Sequence, residues 1–357
     1  MKWRGWSKTP TAIGVIAVLV GLFFTGRTLL ATERQSKSTE DQVRLAEQGQ
    51  QNDRFGKAVE QLSSDKIDVR VGAIYSLEHL AEDASRFLPT VSSVLVTFAN
   101  IHTPTGTCSL DQVKPPADIQ AAFTVLARSD WLRENQSTSE VRIDLPRACL
   151  RGALLHQAPL TYARLADVDL RDTDLGVIQA NYANLRGADL AGAYGYIAHL
   201  DYANLTSANL TDAVMEEANL RHAKLTEANL SNAILHSTFF DYSTLTRANF
   251  SQASMLDANL TMADAQEAKF PHAILDRADL LGAELSNANF SDASLRGTHL
   301  KGAHLAGADL AGASLLGADL SGANLSGANL TDANLSDANL TGADLTGAIL
   351  TGAIGIR

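Results

Sequence analysis

The residues with the widest chemical reach in this 357-residue chain are nine histidines and two cysteines. A histidine beside a carboxylate can move a proton, and histidine, cysteine and carboxylates at short spacing can hold zinc. Neither arrangement is legible. His299 and His304 are close in sequence, but no carboxylate joins them at metal-ligand spacing. His156, His199, His222, His236 and His272 are scattered, and His79 and His102 fall in a helical stretch where exposure on a polar face is expected. Cys108 and Cys149 lack a CxxC motif or a nearby histidine cluster, so no zinc site is readable. They fit either one disulfide in an oxidising compartment or two free thiols, and spacing leaves both open. G-x-S-x-G, the Walker loop, the dinucleotide fingerprint and H-E-x-x-H are all missing. The expectation is a non-enzyme with no catalytic residue, cofactor or metal.

What the chain has instead is a beat. From Leu145 to Leu350 a large apolar residue recurs at nearly every fifth position; of 42 quintets the key residue is Leu in 33, Phe in four, Met in two, Ala in two and Gly once. Two places earlier stands Ala in 35 of them. A helix would turn each successive key residue by roughly 140° and smear it around every face. A plain strand would flip it to the opposite side at each odd step. The period closes only if each quintet makes one short extended side and a two-residue corner, so that four sides form a twenty-residue coil. Such a coil buries its Leu only by stacking on neighbours. Residues twenty apart then lie above one another, so Phe250, Phe270 and Phe290 are expected to stack inside.

Quintets such as Ala323-Asn324-Leu325-Ser326-Gly327 match A-(D/N)-L-x-x, the motif of the pentapeptide repeat family, which the chain resembles over about 60% of its length. The resemblance implies a mainly β fold, a right-handed quadrilateral β-helix of about ten coils with the Leu or Phe and the preceding small residue inward. The resulting division is a basic N-terminal tail over 1–10, a transmembrane helix over 11–30, an α-helical module over 32–130, a linker over 131–142 and the β-helix over 143–354.

Thr11 to Leu30 is twenty residues long with one charge, at Arg27, which matches one bilayer crossing. Trp3 and Trp6 sit where interfacial aromatics belong. Lys2, Arg4 and Lys8 on one side are balanced by Arg27, Arg34, Lys37 and Arg44 on the other, so charge leaves orientation open. In the helical module, Asp68–Asp83 has an Asp at the expected N-cap and Val71, Ile74, Leu77 and Leu80 three apart; further helices are expected over Pro89–Ile101 and Ala117–Ser129. The stretch from Asp53 to Leu126 looks like a helical module that precedes pentapeptide repeats in membrane-anchored bacterial proteins, which suggests a cytoplasmic soluble part and assigns no activity. Capping the first coil is an expected role.

The charge is −11 overall, of which residues from Leu145 onward hold 23 acidic against 13 basic side chains. An acidic rod argues against direct nucleic-acid binding. One column of the rod departs from the Asn/Asp rule at the position before the key residue, reading Tyr194, Val214, Ile234, Ser254, Ile274. Four apolar side chains on five stacked coils form an outward stripe about 20 Å long, the mark of a covered surface. Near the C-terminus Ile349 and Ile354 break the same rule, followed by Ile356, and an apolar coil there predicts end-to-end homodimerisation or a membrane or partner contact. The expected function is a membrane-anchored scaffold that binds a protein partner not identifiable from sequence. The family resemblance adds two alternatives. One is a DNA mimic that binds DNA gyrase and protects it from quinolones, a group that dimerises through the C-terminal end; the other is an extracytoplasmic envelope or adhesion structure.

Overall fold

The computed structural model describes residues 9–106, 108, 114–128 and 142–356, with backbone alone over 9–26 and 28–30. The expected linker over 131–142, apart from Arg142, and most of the basic tail therefore lie outside the described residues, as do Trp3 and Trp6. By contacts the chain divides into Met1–Ala58 and Val59–Arg357. The first unit is helical, because α1 runs unbroken over Thr9–Leu62. It joins the expected membrane segment to the start of the expected α-helical module without a boundary. Among the described residues, no helix is long and apolar enough to cross a membrane.

The second unit contains α2 (Ile67–Asp83), a 3₁₀ turn (Ser85–Phe87), α3 (Leu88–His102) and α4 (Ala117–Ala127). The three-residue spacing seen in the sequence becomes a core: Ile74, Leu77 and Leu80 of α2 are buried with Leu95 and Phe98 of α3 and Ile119, Phe123 and Leu126 of α4. Asp68 is not the N-cap of α2; Lys66 holds that position without a side-chain cap and Asp68 sits in the first turn, where its charge still favours the helix end. Buried Asp118 is tied to α2 by Arg70, whose Nε donates to its carboxylate at 2.6 Å.

From Asp144 onward the backbone follows the four-sided coil, and each outward residue bridges the residue twenty places later in parallel. Leu154 is linked to Ile354 by ten successive bridges, a stack about 48 Å high at the strand spacing. The sides are single bridges rather than strands, which corrects the expectation of a mainly β chain. Two residues of every five are spent on the corner, so extended conformation never lasts long enough to make a strand. As far as Leu335 the key Leu and Phe residues and the Ala two before them are almost completely buried; in the last coil they are half-buried. Phe250, Phe270 and Phe290 stack as expected, at 4.9 and 4.6 Å between ring centroids. At Gly195, where the key residue is missing, a Cβ would fall 2.3 Å from Met215 Sδ, so the methionine of the next coil fills the gap.

The helical module closes the rod's first coil with side chains that imitate a missing coil. Asp144 N–H donates to the Asn100 Oδ1, Leu154 N–H donates to Gln120 Oε1, and Gln120 Nε2 donates back to the Leu154 carbonyl. Cys149 N–H donates to the Pro104 carbonyl, and Thr105 pairs antiparallel with Ala148. The fourth outward position of this edge is Pro159, which has no N–H to satisfy. Every donor on that edge is thus paired, removed or covered. A Cys108–Cys149 disulfide, Cα atoms 5.5 Å apart, fixes the same join. That settles one of the two states the spacing left open.

Candidate interaction site

The coil makes the corner residue the most demanding position. The last residue of each quintet adopts the left-handed conformation, and 28 of these corners are occupied by something other than glycine. Asp, Asn and Ser tolerate that conformation; β-branched residues do not. Val177 (φ 52°) and Ile197 (φ 53°) are therefore strained, at a cost of order 1–3 kcal/mol each. Both turn out of one face of the rod.

That face is the one whose outward positions depart from Asn and Asp. Tyr194, Val214, Ile234, Ser254 and Ile274 are bridged one to the next in a single row. Tyr194, Ile234 and Ile274 are exposed to 47%, 37% and 42%, and Val214 is half-buried. Val177, Tyr196 and Ile197 border the row as half-buried neighbours. Glu217 accepts a hydrogen bond from the Tyr196 hydroxyl at 3.5 Å, and its charge holds the phenol above the usual tyrosine range. Ile354 continues the same row four coils on, after Ser294, Ser314 and Asn334, whereas Ile349 stands on an adjacent side. Ile349 and Ile354 are more than half exposed and Ile356 is 37% exposed.

The histidines stay apart, and among the described residues no group of histidine, cysteine, aspartate and glutamate could hold a metal ion. The coil does bring a carboxylate to some of them from twenty residues away: His236 meets Glu216 at 3.0 Å and His304 meets Glu284 at 2.8 Å. These are exposed pairs. The acidic residues are likewise met by cations across coils, as in Arg151–Asp172, Arg221–Asp241, Arg247–Glu227 and Arg277–Asp257. The two strained corners escaped the sequence reading because the corner's handedness is a property of the backbone. Their signal was present all the same: apolar residues at a position where the motif places small or polar ones.

These features define a repeat protein with a patterned outer surface, and the family follows. The model of the pentapeptide repeats matches in eight stretches between residues 141 and 352, together well over half of the sequence, and the chain belongs to the pentapeptide repeat family. Among solved structures it is similar to HetL, a pentapeptide repeat protein involved in heterocyst differentiation regulation from the cyanobacterium Nostoc sp. strain PCC 7120, at 32% identity over 62% of this chain and 94% of that one, TM-score 0.49. QnrB1, a plasmid-mediated fluoroquinolone resistance protein, is 22% identical over 44% of this chain and 84% of its own, TM-score 0.33. A pentapeptide repeat protein of the Arabidopsis thaliana thylakoid lumen is 34% identical over 30% and 62%, TM-score 0.17. No curated protein matches significantly.

Proposed function

We propose that this chain is a non-enzymatic, membrane-tethered rod that binds a protein partner through the face bearing Tyr194, Val214, Ile234 and Ile274. The observation that supports it best is the coincidence of an exposed apolar row with two strained β-branched corners beside it. Strain of that kind persists where the surface is needed in one shape. An exposed apolar row at positions where the repeat places Asn or Asp favours a covering partner. The tether is assigned to Thr11–Leu30 on its sequence alone, twenty residues with a single charge.

The Cys108–Cys149 bond favours an oxidising compartment for the rod, against the cytoplasmic location that the helical module suggested. A gyrase-directed DNA mimic is the weaker reading, because it needs the cytoplasm and because Asp172, Glu227, Asp241 and Asp257 are each paired with an arginine. At the far end Leu340, Leu345 and Leu350 are only half-buried beside Ile349 and Ile354, which supports a second copy meeting the rod there.

The test is proximity cross-linking in intact cells with a photo-reactive group in place of Tyr194. Val214→Asp with Ile234→Asp is expected to abolish the adduct, while Ser294→Asp with Ser314→Asp, on the same row, leaves it. Equal adducts from both pairs would sink the reading. Thiols that react with a membrane-impermeant reagent only after reduction are expected for Cys108 and Cys149; free thiols protected until lysis would put the rod in the cytoplasm.

A further inference from the structure

The proposed partner face leaves unused a second surface feature, a column of aromatic residues on another corner. Tyr162, Tyr182, Tyr202, His222 and Tyr242 follow one another up the rod with ring centroids 4.9, 4.8, 4.6 and 5.2 Å apart and planes within 12° of parallel. All five occupy left-handed corners, φ 56–60°, and the same column continues upward as Met262, Gly282, Gly302, Gly322 and Gly342. Tyr182, Tyr202 and Tyr242 are each about half exposed, so the ring edges and hydroxyls face solvent. The register is fixed by the backbone: Tyr162 N–H donates to Asn181 O, Tyr182 N–H to Asp201 O and Tyr202 N–H to Arg221 O. The backbones that carry neighbouring phenols are therefore held one coil apart while the rod is folded.

We propose that Tyr162, Tyr182 and Tyr202 form an oxidative cross-linking site, at which neighbouring phenols are joined as dityrosine by hydrogen peroxide acting through a peroxidase. Each phenol gives one electron to the peroxidase and its hydroxyl proton to water, leaving a phenoxyl radical with spin on the carbons ortho to oxygen. One such carbon from each ring forms the new carbon–carbon bond. The hydrogens on the two joined carbons then move to the oxygens and restore both phenols. The protein loses two electrons and two protons in all, and these reduce one peroxide to two waters. The product ties adjacent coils covalently across one bridge spacing.

The column also sets which pairs can form. Tyr182 has a phenol on each side, so it belongs to both available pairs. Tyr242 is cut off from Tyr202 by the imidazole of His222, which has no phenoxyl chemistry and stands between the two rings. Tyr75, Tyr194 and Tyr196 lie elsewhere and provide an internal control.

The experiment treats the purified full-length chain, dilute, with hydrogen peroxide and a haem peroxidase, and follows dityrosine fluorescence and linked tryptic peptides. Arg164, Arg171 and Arg186 separate the first two tyrosines of the column from each other and from the third. The expected products are intramolecular Tyr162–Tyr182 or Tyr182–Tyr202 links lacking two hydrogens. Tyr182→Phe, which keeps the ring and the fold, is expected to remove nearly all of the fluorescence, and Tyr242→Phe to leave it unchanged. His222→Tyr is expected to raise it and to add links that contain the phenol introduced by that substitution, joined to Tyr202 or Tyr242. Full fluorescence in Tyr182→Phe, links confined to Tyr75, Tyr194 or Tyr196, or links only between chains would each overturn the proposal.

Discussion

The two halves of the rod use one backbone and different corners. From Gly297 to Gly352 every left-handed corner is glycine except Asp332 and Asp337. Between Gln157 and Arg277 the same corners hold Tyr162, Val177, Tyr182, Ile197, Tyr202, Tyr242 and Met262. The C-terminal half is what the coil asks for; glycine there meets the left-handed φ without a Cβ penalty. The other half departs from that rule at positions where departure is costly, and it is the half with the apolar row and the aromatic column. Corner chemistry thus separates residues that only build the coil from residues that add a surface to it.

The largest effect expected on this contrast is at the N-terminal join, which has a covalent tie as well as hydrogen bonds. Cys108 and Cys149 are 41 residues apart. Removing a link that closes a loop of that size costs about 4 kcal/mol in the chain-entropy model. Cys149→Ser is expected to lower the stability of the helical module and first coils by about that much and to leave amide exchange in residues 300–335 unchanged. Uniform loss of protection along the rod would mean that the halves unfold together and the contrast is one of surface alone.

The next largest effect exchanges the corners. Gly327 has nothing within 4 Å of an added Cβ, so Gly327→Val places its Cβ in open space and tests the backbone conformation. It is expected to cost about 1–2 kcal/mol, read by denaturant midpoint. The reciprocal change, Ile197→Gly, is expected to leave stability within about 1 kcal/mol, since released strain offsets lost packing and the greater freedom of the unfolded chain. It should weaken the partner adduct at Tyr194. If Gly327→Val is neutral, corner strain is no guide to function in this molecule.

Much of this was readable in advance because it repeats. The five-residue beat specifies the inward Leu and Ala, and from it follow the twenty-residue coil, the Phe250–Phe270–Phe290 stack and the Tyr194–Ile274 row. The aromatic column is equally legible, since Tyr162, Tyr182, Tyr202 and Tyr242 are separated by multiples of twenty; what the sequence does not show is that the corner side chains of successive coils stack. Other features depend on contacts between residues far apart in sequence. Asn100 and Gln120 look like ordinary helix-surface amides, and only the meeting of α3 and α4 with the first coil turns them into substitutes for backbone. The disulfide is of the same kind.

A smaller effect comes from inside. Ser243 occupies a position that is Ala in most quintets, and its buried hydroxyl has no hydrogen-bond partner, whereas Thr238 and Thr298 at equivalent positions donate to Met215 O and Leu275 O. Ser243→Ala is expected to stabilise the middle of the rod by about 1 kcal/mol, while Thr238→Ala is expected to destabilise or do nothing. A loss of stability in the first would show that the hydroxyl is satisfied in solution.

The smallest effect distinguishes how the halves hold their carboxylates. Burial by itself would raise the Asp169 pKa, but hydrogen bonds from the Arg171 guanidinium and N–H outweigh it and keep the carboxyl below its ordinary value. Asp344 is also held low, by the Thr346 hydroxyl and N–H, with no cation among its causes. In both, the folded pKa lies below the unfolded one. The stabilisation is therefore complete above the unfolded value, near pH 4, and fades as pH falls through the folded value. Salt should divide them, because a guanidinium contributes a long-range charge that ions screen and a hydroxyl does not. Carboxyl titration by NMR at low and at about 1 M salt is expected to move Asp169 up toward the ordinary range and leave Asp344 in place. Equal shifts would show that the N-terminal half relies on local hydrogen bonds as fully as the C-terminal half does, and that its arginines serve the surface rather than the coil.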